Sequence, residues 1–349
     1  MQQGGELLGQ GSYGCAFDPP LDCKRELTTK MNVGKITSIS EAHREYSMSL
    51  ALEELPYSEE YFVLIKDSCI PKARSNQKDK SLSKCKTLEG VKLPSRIQLL
   101  MPFGGKPLAQ IQFNSPGELY LLGKKLLEAG TLLLLGGVVH ADIHGSNIVV
   151  DSTGNIKIID LGKSWSVNSL NEENVPNYYF NPRPPATPPE ENVISAVNID
   201  MDLDLAMAKI TDEKLALGLI YKITGQPIAS QLNGLKTFIK SSQAFRKKNW
   251  LSYYKIYWKK FDAWGFGSVL LVFYINNLMS HNSSDSRNEL WQKCILGLCE
   301  IDPGKRLDAS EALELWAPDS KILQIPEVQE MLEKQKELRS QLINKIGVF

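Results

Sequence analysis

Two short apolar runs, Asn147–Asp151 and Ile156–Asp160, flank a Ser-Thr-Gly-Asn turn. Five-residue runs rich in Ile and Val, joined by four turn-forming residues, specify a β-hairpin. The hairpin decides where its polar neighbours go. Asp142 stands before the first strand, Asn147 opens it, and Asp160 ends the returning strand beside Gly162. Closing the hairpin brings these oxygen-bearing side chains toward one edge, and oxygen ligands at a shared edge suit Mg²⁺ and the phosphates it carries.

The rest of the chain limits what can surround that hairpin. Its 349 residues suffice for one large core or two lobes. Forty basic and forty acidic residues cancel, so no global field draws the chain to nucleic acid or an anionic membrane. Six cysteines (15, 23, 69, 85, 294 and 299) show neither a framework nor tight metal-ligand spacing, and only four histidines accompany them. Free thiols in a reducing compartment are therefore expected, without structural zinc. The opening MQQGGELLGQGS lacks the basic region and apolar core of a signal peptide. Leu126 to Val139 and Ala263 to Ile275 are too short for a bilayer and read as buried helix, so no transmembrane segment is expected.

Ahead of the hairpin, Leu8-Gly9-Gln10-Gly11-Ser12-Tyr13-Gly14-Cys15-Ala16-Phe17 spaces its glycines as G-x-G-x-x-G. Such spacing lets backbone amides approach phosphate oxygens without side-chain obstruction. The glycines lead into Asp18-Pro19-Pro20 and not into a helix, which disfavours a dinucleotide fold. Lys35 lies on a short strand, and Ser38 with Glu41 offers a cap for a helix through Leu50. Glu41 and Glu45 share one face of that helix. Tyr61–Ile65 reads as a strand, Lys72–Lys86 as an exposed loop, and Arg96–Met101 as a strand running into Pro102-Phe103-Gly104-Gly105.

Farther on, Ser115-Pro116-Gly117-Glu118 combines a cap, a first-turn proline and an acid, and starts an apolar helix to about Leu135. Lys163 to Thr187 is polar and proline-rich, hence irregular, whereas 191–261 is mostly helical in pattern. The basic and aromatic residues around Arg246–Lys260 read as core aromatics with a charged rim. From Pro326 the spacing of Val328, Met331, Leu332, Leu338, Leu342 and Ile346 predicts an amphipathic helix.

These motifs together resemble the protein-kinase superfamily, serine/threonine type, across roughly residues 7 to 315. His140-Ala141-Asp142-Ile143-His144-Gly145-Ser146-Asn147 is similar to the H-x-D-x-x-x-x-N catalytic loop and Asp160-Leu161-Gly162 to D-F-G. Val33-Gly34-Lys35 resembles the lysine strand, Thr187-Pro188-Pro189-Glu190 the A-P-E element, Asp262–Gly267 the D-x-W-S-x-G helix start, and Asp302–Ala309 the D-P-x-x-R-x-x-A signature.

The resemblance implies an α+β fold with a small antiparallel-sheet lobe at 1–103, a larger helical lobe at 104–325 with a helical insertion in 191–261, and a terminal helix at 326–349. It implies ATP between the lobes, with Mg²⁺ on Asn147 and Asp160. Asp142 would take the proton of a protein hydroxyl, and Lys35, held by Glu45 or else Glu41, would grip the phosphates. Leu8, Gly9, Gly11, Gly14, Ala16, Leu99 as gatekeeper, Met101 and Phe103 would surround the nucleotide. Asp262 would anchor the catalytic loop, and Arg306 would meet Glu190. Ala141 and His144 depart from the usual arginine and lysine, and Leu161 replaces the phenylalanine of D-F-G.

The H-x-D-x-H-x-x-N form is also similar to small-molecule phosphotransferases acting on aminoglycosides or choline, and a pseudokinase scaffold is a third reading. The Asp18–Cys23 insertion, the lysine strand and the hinge resemble kinases of large DNA viruses, which would place the protein in infected-cell cytoplasm or the virion. A protein substrate and no stable nucleic-acid partner are expected, and the oligomeric state is open.

Overall fold

The computed structural model describes residues 5–11, 14–26, 31–77, 81–112, 115–277 and 287–346, without the side chains at 76, 277 and 338–346. In chain order the first elements are β1 (Glu6–Gly11), β2 (Gly14–Asp18), β3 (Val33–Thr37), α1 (Ile39–Glu53), α2 (Ser58–Tyr61), β4 (Asp67–Cys69), β5 (Ile97–Met101) and β6 (Lys106–Pro107). Next come α3 (Pro116–Leu135), β7 (Val138–Val139), β8 (Ile148–Val150), β9 (Ile156–Ile158) and β10 (Trp165–Ser166). The remainder is helical: α4 (Pro189–Asn198), α5 (Leu203–Glu213), α6 (Leu215–Thr224), α7 (Ile228–Ser241), α8 (Gln243–Arg246), α9 (Trp250–Tyr257), α10 (Phe261–Asn277), α11 (Asn288–Leu298), α12 (Ala309–Trp316) and α13 (Pro326–Ile346). The fold is α+β, with a small antiparallel sheet toward the N-terminus and a larger helical region after it. Two compact units emerge: Met1–Pro107 with Val149–Ser164, and Leu108–Ile148 with Trp165–Phe349. The hairpin strands β8 and β9 thus belong mainly with the sheet-bearing unit, although they follow α3 in the chain.

In the first unit the sheet order is β1-β2-β3-β5-β4, with every neighbouring pair antiparallel. The Ser38 hydroxyl accepts from Glu41 N while the Glu41 side chain reaches back to Ser38 N, a complete capping box that starts α1. This helix buries Ala42, Glu45, Ser49 and Leu52, one stripe at helical spacing. The segment 18–26 is tied to β5 by Gln98, whose amide accepts from Leu21 N (2.9 Å) and donates to Leu21 O (2.9 Å). That crossing leaves no room for a Cβ on Gly34, which explains a glycine beside the lysine of β3.

Three expectations for this unit are corrected. Tyr61–Ile65 is not a strand: α2 ends at Tyr61, and Phe62 makes a single bridge to Ile158. Its neighbours satisfy their backbones elsewhere, Val63 N on Ile158 O (3.0 Å) and Ile65 N on the Ser49 hydroxyl (2.8 Å), so no ladder forms. Lys72–Lys86 is not simply an exposed loop. Lys72, Lys84 and Lys86 do face solvent, but 3₁₀ turns at Ser81–Lys84 and Lys86–Leu88 lay Leu82, Cys85 and Leu88 against Cys15, Phe17 and Ile36.

Nor are all the cysteines free. Cys15 is joined to Cys85 and Cys23 to Cys69, with Cα separations of 6.2 and 5.9 Å inside the usual disulfide range. The partners are 70 and 46 residues apart, so linear spacing holds no trace of the pairing. Cys294 and Cys299, in the second unit, are free and buried.

The second unit is built around α3, which begins with a capping box of Ser115 and Glu118 and is buried from Leu119 through Leu134 on nearly every face. Its one buried acid, Glu128, accepts from the Ser320 hydroxyl (2.7 Å) and lies 3.6 Å from Lys125 Nζ. Helices α10 and α12 pack on α3, and α13 returns against the same group with Val328 and Leu332 buried. Among the described residues, no helix is long and apolar enough to cross a membrane.

Candidate active site

The first unit gathers one set of predicted residues. Cross-strand partners share a face, and Lys35 on β3 stands opposite Ala16 on β2 and Leu99 on β5, so these three side chains form one row. Val33, two residues from Lys35, is opposite Met101. Leu99 is fully buried, Ala16 and Met101 are half-buried, and Phe103 is 49% exposed. Along β1 the register shifts between Leu7 and Gly9, leaving Leu8 outside the ladder and 47% exposed. Gly9 and Gly11 have open space where a Cβ would be, whereas at Gly14 it would strike the Ile36 carbonyl. Ser12 and Tyr13, at the turn of the glycine motif, lie outside the described residues.

Lys35 is the electrostatic centre of this unit. Its Nζ donates to Glu45 Oε1 (2.9 Å) and Oε2 (2.8 Å) and to Asp160 Oδ1 (2.7 Å). Glu41, one turn earlier, is occupied with Thr37 and Ser38 instead, and its hydrogen bonds hold its pKa below the ordinary value against the effect of burial. Geometry thus separates two acids that helical periodicity could not. Burial opposes the charge on Lys35, but the carboxylates of Glu45 and Asp160 outweigh it and push the pKa above the ordinary lysine value. Burial also raises the Glu45 carboxyl, and the nearby Asp160 charge adds to that rise against the pull of Lys35. One cation therefore serves two carboxylates, and Asp160 is the more exposed of them, at 34% of its side chain against 4% for Glu45. Asp160 has a left-handed backbone (φ 67°) that turns its Oδ1 back onto Gly162 N (3.1 Å).

The second unit holds the other set. The Asp262 carboxylate, at the start of α10, accepts from His140 N (2.6 Å) and Ala141 N (2.9 Å). It fastens a loop in which Ala141 has φ 63°, a conformation costly for a residue with a Cβ. Burial pushes the Asp262 pKa up to about 7 despite those two donors, and the Asp142 charge contributes to the rise. Gly265 lets α10 approach the loop, since a Cβ there would lie 2.8 Å from Ile143 Cβ.

Asn147 Nδ2 donates to Asp142 O (3.0 Å) and Oδ2 (3.3 Å). Its amide oxygen accepts no hydrogen bond among the described residues and is free to meet a cation. His144 Nδ1 accepts from Ser146 N (3.2 Å), and its Nε2 lies 3.6 Å from Asp142 Oδ2. Among the described residues no group of three or more His, Cys, Asp or Glu forms a metal cluster. Within this unit the oxygens of Asn147 and Asp142 have chemistry that suits Mg²⁺, as the Asp160 carboxylate does within the first.

Elsewhere in the second unit, Arg306 and Glu190 form a buried bidentate pair (2.7 and 2.8 Å). Arg306 also donates to Glu300 O (2.7 Å) and faces the Trp264 ring, 5.4 Å from its centroid. Sequence reasoning missed Glu191 and Lys214. Glu191 is fully buried and accepts from the Tyr254 hydroxyl (2.7 Å), and burial with the Glu190 charge pushes its pKa up to about 8. Lys214 is 3% exposed, and burial brings it down to about 7 although Glu190 opposes the fall. An acid after Glu190 and a lysine before an apolar run look like ordinary surface in sequence, so no signal marked them.

The chain is similar over 172 residues, 44% of its length, to a Dictyostelium discoideum protein with the provisional name cyclin-dependent serine/threonine-protein kinase, at 26% identity. The match spans 25% of that relative's own length. No protein-family model matches the chain. What these comparisons carry is a coarse resemblance to the kinase superfamily, in a chain with an α+β architecture.

Proposed function

We propose that the protein is a serine/threonine protein kinase that transfers the γ-phosphate of ATP to protein hydroxyls with Mg²⁺. The observation that carries this reading is the Lys35–Glu45–Asp160 cluster: a lysine held by one enclosed acid and one more exposed acid, in the middle of a row between Ala16 and Leu99. A lysine so fixed meets anionic oxygen without having to be ordered at the moment of reaction. Gly9, Gly11 and Gly14 would let backbone amides approach phosphates, and Leu8, Met101 and Phe103 would border the base.

Asn147 and Asp160 would each offer an oxygen to Mg²⁺, which supplies neutralisation of phosphate charge when bound. Asp142 would accept the hydroxyl proton as the substrate oxygen bonds to the γ-phosphorus and the bond to the ADP oxygen breaks. Asn147 Nδ2 and Asp262 support it, the first by a direct hydrogen bond and the second by fixing the backbone before it. His144 Nε2 faces the same carboxylate at 3.6 Å. The buried Glu190–Arg306 pair favours a protein kinase over a small-molecule phosphotransferase, because it anchors the segment on which a polypeptide substrate would lie.

The test is radiolabelled phosphate transfer from Mg-ATP to a mixed protein substrate, followed by phosphoamino-acid analysis. Phosphoserine or phosphothreonine is expected. Label only on small molecules, or no transfer at all, would count against the proposal.

A further inference from the structure

One irregular segment, residues 177–187, is tied down by α4, by the end of α5 and by the α5–α6 junction. Asn198, at the end of α4, donates to Asn177 Oδ1 (3.4 Å), and Asn192 donates to Asn181 O (2.9 Å). From the end of α5, Glu213 accepts from Arg183 Nε (3.0 Å). Lys214, between α5 and α6, donates from Nζ to Thr187 O (2.7 Å) and Pro184 O (3.3 Å). Tyr178 is hydrogen-bonded to Trp165 Nε1 (3.0 Å), and the Trp165 ring lies edge-on to Tyr254 of α9 with centroids 5.6 Å apart.

Lys214 is the informative member. Burying an ammonium is costly, and an apolar side chain would fill the same space at less expense. Its hydrogen bonds go to two main-chain carbonyls three residues apart, which a methionine or leucine could not hold. Either protonation state of the amine can donate to both, so this tie survives the low pKa that burial gives it. The same segment leaves Tyr179 97% exposed and Tyr178 half-buried, so its order comes from carbonyl ties and aromatic packing.

We propose that Glu213 at the end of α5 and Lys214 at the α5–α6 junction form a built-in clamp, with Lys214 as its positioning residue, that holds residues 177–187 in the shape that receives a protein substrate without any phosphate on that segment. The proposal rests on the kinase reading above. It gives the helical insertion a role in which the chain supplies its own fastening, so transfer is independent of an activating kinase.

The test combines hydrogen exchange, read by mass spectrometry on the full chain, with phosphotransfer by wild type, Lys214→Met and Arg183→Ala. In Lys214→Met, the amides of Tyr178, Tyr179, Phe180, Asn181, Arg183, Ala186 and Thr187 should exchange at least tenfold faster while those of α3 and α10 keep their protection. Transfer to protein should fall about tenfold with the KM for ATP unchanged, Lys214→Arg should restore part of it, and phosphatase-treated wild type should keep full activity. If Lys214→Met fails to fold, Arg183→Ala decides, because its side chain is 77% exposed; faster exchange at the backbone amides of residue 183, Ala186 and Thr187 is then expected. Unchanged exchange at those amides, or loss of wild-type transfer on phosphatase treatment, overturns the clamp. A wild type that transfers nothing while exchange responds as expected overturns the kinase reading and leaves the fastening itself supported.

Discussion

Lys35 balances two carboxylates, and removing it leaves Glu45 enclosed without a cation. Lys35→Met should therefore lower phosphotransfer by about 10²–10³-fold, the range for loss of one preorganised electrostatic contact, while circular dichroism shows the fold retained because Glu45 can take up a proton. Glu41→Gln, which touches only the start of α1, should leave transfer within about twofold and cost about 1 kcal/mol of stability through its cap. Glu191 makes a pH prediction. Its folded pKa of about 8 lies above its ordinary 4.5, so the folded state keeps a proton that the unfolded chain releases. Stability from this group therefore falls as pH rises from about 4.5 to 8, by at most about 1.4 kcal/mol per pH unit. Asp262, raised to about 7, acts in the same direction. Denaturant midpoints between pH 5 and 8 should decline in wild type and decline less in Glu191→Gln; equal slopes would refute the assignment.

At the scale of elements, Arg306 joins the loop after α11 to the first turn of α4. Breaking a buried pair strands the remaining charge, so Arg306→Ala should cost about 3–5 kcal/mol in urea unfolding. The elements legible in sequence are those whose signals are local. Ser38 with Glu41, Ser115 with Glu118, and the turn at 152–155 each announce a boundary within four residues, and α1, α3 and the 148–158 hairpin form where those signals lie. The elements that are not legible depend on partners far along the chain. Val63–Ile65 has strand composition, yet its hydrogen bonds go to Ser49 and Ile158. Residues 81–88 look like solvated loop because their few apolar members find the outer face of β2 only once the sheet exists. The choice of Glu45 over Glu41 needs the position of the lysine, since both acids lie on one helical face.

For the molecule as a whole, the two disulfides lie in the first unit and the free thiols in the second. Reduction should lower the stability of the first unit by about 2–4 kcal/mol per bond removed and leave the second unit's unfolding unchanged, which hydrogen exchange with and without reductant can resolve. Every cysteine reads as free in the sequence because charge, composition and spacing carry no record of contacts formed across a sheet.

The central claim, phosphoryl transfer from ATP, is tested most directly by one comparison. Wild type and Asp142→Asn are incubated with Mg-ATP and a mixed protein substrate, and phosphoamino acids are counted. Phosphoserine or phosphothreonine from wild type, with the variant reduced by at least about 10²-fold, is the predicted result; equal transfer by both proteins would contradict it.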